Sequence, residues 1–146
     1  MRGKRWIHIL FLCYLAALLR ITVFRSGFGA HGFCADGVIN LKLFAEYLPL
    51  IRTNDWDRII YLFVGNIIWF VPFGMYVRYW KAGHGILWAA VLGFALSFLI
   101  ETMQYMAGTG ISELDDLILN TAGAALGALL LHGYLFWLRQ LRGETP

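Results

Sequence analysis

Charge is the scarcest property of this sequence: Asp, Glu, Lys and Arg make up only 14% of its 146 residues, against 60% hydrophobic and 16% aromatic. A soluble domain needs far more polar surface, so the composition excludes one and points to an integral membrane protein. A basic stripe is missing as well. The pI is about 9.0, but the net charge is only +3 and the Lys and Arg residues flank apolar runs, which removes the footprint of nucleic-acid binding. Cysteine is nearly absent. Cys13 falls inside the first apolar run and Cys34 in the loop after it, so no disulfide is expected between them. His31 and Cys34 together are too few to make a metal site. No phosphate loop, Ser/His/Asp set, basic phosphatase signature or internal repeat accompanies them, so no cofactor is expected.

What the sequence does contain is long apolar runs. Four reach the roughly 20 residues that span a hydrocarbon core at about 1.5 Å per residue. They run approximately over 6–24, 59–77, 85–106 and 114–138. "MRGKR" followed by "WIHILFLCYLAALL" is similar to a signal peptide, but Arg20 follows instead of a small-x-small cleavage site, so the run is read as an uncleaved first helix. Short second and third connections force antiparallel neighbours. The expectation is an all-α integral membrane protein, a small antiparallel bundle of four transmembrane helices forming a single domain over residues 1–146.

The long loop between the first two helices has two parts. "RSGFGAHGFCADG" is glycine-rich irregular chain. "NLKLFAEYLPLI", Asn40 to Ile51, is apolar with Lys42 and Glu46 four apart, which suits a short helix, either lying at the interface or re-entrant over a site. Arg2, Lys4, Arg5, Arg78, Lys81, Arg139 and Arg142 all fall on one side of a four-helix path. By the positive-inside rule both termini are cytoplasmic, and the long loop and the last turn face outward.

Within this topology the polar residues of the apolar runs gather toward the outer boundary. They are Arg20, Asn66, Glu101, Gln104, Asp115, Asp116 and Asn120. Glu101 and Gln104 are three apart, and Asp116 and Asn120 four apart, so each pair shares a helix face. Gly123 and Gly127 continue the second stripe as a GxxxG, which lets a neighbouring helix approach and turns Asn120 toward protein. A carboxylate in hydrocarbon must be paired, protonated or reached by water. An ion pair of Arg20 with Glu101 or Asp116 is therefore expected, unless Arg20 snorkels to the headgroups. Asp115 fits a solvated first turn favoured by the helix dipole. Pro72 in "FVPFG" permits a bend near Trp69.

Three motifs, "GNIIWFVPFG" (Gly65–Gly74), "SFLIETMQ" (Ser97–Gln104) and "ELDDLILNTAGAALG" (Glu113–Gly127), together with "NLKLF" at Asn40, resemble the VanZ-like family of small membrane proteins. The resemblance covers most of residues 40–130 and carries over to Asn66, Glu101, Gln104, Asp116 and Asn120. It implies a multi-pass protein of the bacterial cytoplasmic membrane, in a family whose name member is associated with low-level teicoplanin resistance. There are departures: many members have an arginine just ahead of the acids of the last helix, where "GTGISE" has none, and Leu43 stands where proline is usual. If that arginine binds an anionic ligand in relatives, Arg20 or Arg58 would have to substitute for it here, or the ligand differs.

Three functions are compatible with these residues. The leading one is a non-enzymatic factor whose outward polar cluster engages membrane lipids, a lipid-linked envelope precursor or a lipoglycopeptide. An intramembrane enzyme using Glu101 and Asp116 as an acid/base or metal pair ranks below it. A structural subunit whose polar cluster only locks helices together is the third. Oligomeric state is not legible.

Overall fold

The computed structural model describes residues 2–24, 28, 37–81 and 83–143. Four helices are long and apolar enough to cross a membrane: α1 (Arg2–Thr22), α3 (Trp56–Trp80), α4 (Gly85–Ala107) and α5 (Leu114–Leu141). Each overlaps one of the four apolar runs; α3, α4 and α5 extend theirs by up to a turn, whereas α1 starts about a turn earlier and stops two residues short. Between α1 and α3 lie a strand, β1 (Val38–Asn40), and a six-residue helix, α2 (Tyr47–Arg52); a second strand, β2 (Ile111–Glu113), joins α4 to α5.

Local chemistry sets the ends of these helices. Asp55 caps α3 by accepting the Arg58 backbone N–H at 3.3 Å. Gly108 stops α4 in the left-handed conformation at φ 60°, where its N–H closes onto the Gln104 and Tyr105 carbonyls. The chain then extends through β2 and enters α5 with Asp115 and Asp116 in the first turn, where the helix dipole favours acid.

The expected helix from Asn40 to Ile51 is largely something else. Only Tyr47–Arg52 is helical, Val38–Asn40 is strand and residues 42–46 are bend and turn, so Lys42 and Glu46 do not share a helix face. Leu41, Leu43, Phe44, Leu48 and Ile51 are all exposed, which gives this segment an apolar surface. β1 and β2 pair in parallel, Val38 with Ile111, Ile39 with Ser112 and Asn40 with Glu113. This end of the bundle is called the β end below.

The bundle core joins Leu18 and Val23 of the α1 end to Phe70, Phe73, Val77, Ala89, Ile100, Ala124 and Ala128. α3 and α5 meet through glycine. A Cβ at Gly123 or Gly127 would fall on the carbonyl of Ile67 or Val71, and one at Gly74 on that of Ala124. The backbones touch, as a small-residue stripe permits. α1 is the least buried of the four spans. Its Tyr14 hydroxyl donates to the Trp69 carbonyl at 2.6 Å, one turn before Pro72, and α3 continues as one helix through that proline.

Candidate functional site

The β end collects polar side chains from every element around it. On α4, Ser97, Glu101 and Gln104 lie at i, i+4 and i+7 and are all buried, Glu101 to 7% exposure. The Glu101 carboxylate accepts the Glu113 backbone N–H at 2.9 Å, and its own carbonyl accepts the Ser112 hydroxyl. Glu101 is therefore partnered by the turn that follows its own helix. Asn40 donates its amide to the Glu113 carboxylate at 2.8 Å. A line of donors and acceptors thus runs from β1 through β2 into α4.

α5 divides its polar residues between two neighbours. Asp116, half-buried, accepts the Asn66 side-chain amide from α3, whereas Asn120, 5% exposed, donates to the Ser97 hydroxyl of α4 at 2.9 Å. A spacing of four residues puts both on one broad face, and the bundle splits that face between α3 and α4. Asn120 faces protein. Gln104 reaches the other way and donates to the Thr22 carbonyl at 3.2 Å, tying α4 to the end of α1; its buried carbonyl oxygen has no partner.

Two expectations are corrected here. Asp115 is not a solvated first-turn residue: it is 3% exposed, and one of its oxygens accepts the Phe44 backbone N–H at 2.7 Å while the other has no partner. The loop that covers it carries Phe44 in the left-handed region at φ 56°, where a residue with a Cβ is strained, so the carboxylate helps hold that turn. Arg20 makes no ion pair with Glu101 or Asp116. It is exposed, and its guanidinium donates to the Phe24 carbonyl at 2.5 Å, closing the end of its own helix. The Phe24 carbonyl, four residues on along the same chain, is a nearer partner than a carboxylate on another helix. Arg25, His31, Cys34 and Asp36 lie outside the described residues.

Carboxylates thus predominate at the β end. Burial, opposed by the Asn40 hydrogen bond and reinforced by the charges of Glu46 and Asp115, raises the Glu113 carboxyl above its ordinary value. Burial again, then the charges of Asp116, Asp115, Glu113 and Glu46, pushes the Tyr47 phenol up to about 12. Among the described residues no three His, Cys, Asp or Glu side chains are grouped closely enough to hold a metal ion.

Beside this cluster is a cleft of about 330 Å³. Ile39, Leu41, Phe98, Leu114 and Leu117 make its apolar walls, and Glu101, Ser112 and Glu113 also line it. Such a cleft can take an apolar chain.

The family model for VanZ/LLP1 matches residues 11–138, which takes in the whole cluster and cleft. The chain belongs to the VanZ/LLP1 family. It is also similar to Protein VanZ of Enterococcus faecium, 28% identical over 130 residues, which are 88% of this chain and 74% of that protein. No solved structure matches the chain. A multi-pass membrane protein is what four spanning helices in a VanZ/LLP1 chain amount to.

Several residues of the site escaped the sequence reading. Ser97 was legible, because it continues the Glu101 and Gln104 stripe of α4 by one turn. Ser112 and Asn40 were not, since their roles depend on strands of three residues paired across the end of the bundle.

Proposed function

We propose that this VanZ/LLP1 chain is a non-catalytic membrane factor that engages a cell-envelope lipid or other amphiphile at its β end and lowers susceptibility to teicoplanin-type lipoglycopeptides. The observation that carries this is the cleft: its walls are apolar, with Phe98, Leu114 and Leu117 among them, and it lies beside the polar cluster of Glu101, Ser112 and Glu113. An acyl chain gains about 0.8 kcal/mol per methylene removed from water. The described carboxylates already hold donors from Glu113, Asn66 and Phe44, which favours positioning over proton transfer. Drug susceptibility enters through the family resemblance, and a lipoglycopeptide depends on its own lipid anchor in the outer leaflet.

The same reading gives the orientation. Arg78, Lys81, Arg139 and Arg142 lie at the end opposite the sheet, so the positive-inside rule turns that end to the cytoplasm and the β end outward, in the bacterial cytoplasmic membrane. Locking helices together is the second reading, favoured by the Asn66–Asp116 and Asn120–Ser97 bonds between helices.

The test is teicoplanin susceptibility of a sensitive Gram-positive host expressing the wild type, Glu101→Gln, Asp116→Asn, or Leu117→Trp, with membrane levels measured by immunoblot. Leu117→Trp fills the cleft and leaves the carboxylates in place. Reduced susceptibility with wild type, abolished in all three variants at equal membrane level, is the expected outcome. Variants absent from the membrane would favour the structural reading, and a wild type without effect would end the proposal.

A further inference from the structure

The two-stranded sheet has a second face. Ile39 and Leu41 border the apolar cleft, and Val38, Ile39, Asn40 and Lys42 border a second groove, of about 600 Å³, on the α2 side. Lys42, Glu46 and Arg58 are its charged residues, with Pro49, Leu50 and Ile111 among its apolar ones.

Among the described residues neither cation's side chain has a bonding partner. Lys42 bonds through its backbone, its N–H to Asn40 at 3.2 Å and its carbonyl from the Ala45 N–H at 3.4 Å, and Arg58 through its backbone N–H to Asp55. Among the described residues no carboxylate pairs with either side chain. With two cations and one carboxylate, Glu46, the groove carries a net charge of +1. A phosphodiester, with one negative charge, balances it, and the planar guanidinium of an arginine matches two phosphate oxygens at once.

Depth selects the source of that phosphate. Arg58 stands between Trp56 and Tyr61, both exposed (55% and 76%), and such aromatics mark the headgroup level of a bilayer. The adjoining loop exposes Leu43, Phe44 and Leu48, which belong in the interface rather than in water. The groove is thus level with lipid phosphates.

We propose that this groove is a binding site for the phosphodiester of a membrane lipid headgroup, held between Lys42 and Arg58. It adjoins the cleft at Ile39 and does not depend on the function proposed for that cleft.

The experiment is native mass spectrometry of the full chain released from detergent micelles, titrated with dioleoylphosphatidylglycerol or, as the uncharged control, dioleoylglycerol. The wild type binds the phospholipid in preference to the diacylglycerol. The double variant Lys42→Gln, Arg58→Gln binds it at least tenfold more weakly, while Lys42→Arg with Arg58→Lys stays within threefold of wild type. Because both side chains are exposed and unbonded, gel filtration of each variant should match wild type. Equal phospholipid binding by the double variant, or diacylglycerol binding as tight as phosphatidylglycerol, would overturn the site. Displacement of the lipid by millimolar inorganic phosphate would overturn its assignment to a lipid headgroup.

Discussion

Alanine at Gly123 would set its methyl on the carbonyl of Ile67, an atom of the α3 backbone with no rotamer by which to move aside. An unstrained carbon-to-oxygen contact is about 3.3 Å or more, so α3 and α5 must part by roughly 1 Å at that level. The same seam holds Gly127 against Val71 and Gly74 against Ala124, and the Asn66–Asp116 bond joins the same two helices. Overpacking of this kind costs about 1–3 kcal/mol, and a strained interhelical hydrogen bond in a membrane adds about 0.6 kcal/mol. Gly65 supplies the control: it lies on the same α3, and a Cβ there meets nothing within 4 Å. Both substitutions gain the same helix propensity, up to about 1 kcal/mol, so it cancels between them. Gly123→Ala should therefore unfold about 2–3.5 kcal/mol more easily than Gly65→Ala. The assay is reversible unfolding of the full chain in mixed micelles, titrated with SDS and followed by circular dichroism. Coincident midpoints for the two variants would refute the backbone contact between α3 and α5.

Two further predictions follow from the β end. In the folded chain Glu113 keeps its proton to higher pH than in the unfolded chain, where the ordinary value is 4.5; its contribution to stability is present below pH 4.5 and lost as pH rises through the folded value. Wild type should lose more stability than Glu113→Gln when pH is raised from 4.5 toward neutrality, the amide oxygen still accepting from Asn40; equal slopes would remove the effect of burial. The orientation predicts that Lys42→Cys, in a background of Cys13→Ser and Cys34→Ser, reacts with a membrane-impermeant maleimide in intact cells. Arg142→Cys should react only after permeabilisation, and the reverse pattern would invert the topology.

Which elements span the membrane was legible because hydropathy and length are properties of a local segment. A run such as Gly85–Met106 has its backbone satisfied internally as a helix wherever its neighbours sit. The Gly123 and Gly127 stripe was legible for the same reason: helical spacing puts small residues on one face, and a face without side chains admits another backbone. Polar residues one or two turns inside the runs, Glu101, Gln104, Asp116 and Asn120, announced themselves by their cost in hydrocarbon.

Their partners did not. Glu101 is held by the Glu113 backbone N–H, Asp115 by that of Phe44 and Arg20 by the Phe24 carbonyl, and a backbone group has no residue type to read. The parallel pairing of Val38–Asn40 with Ile111–Glu113 joins three-residue strands 73 positions apart, too short to carry a periodicity and too distant for a turn signal. Residues of both strands line the cleft and the groove. Sequence determined the helices and the polar residues buried among them, because both follow from the local cost of polarity in a membrane. Tertiary structure alone decided which donor meets which acceptor, because that depends on loops folded back across the end of the bundle.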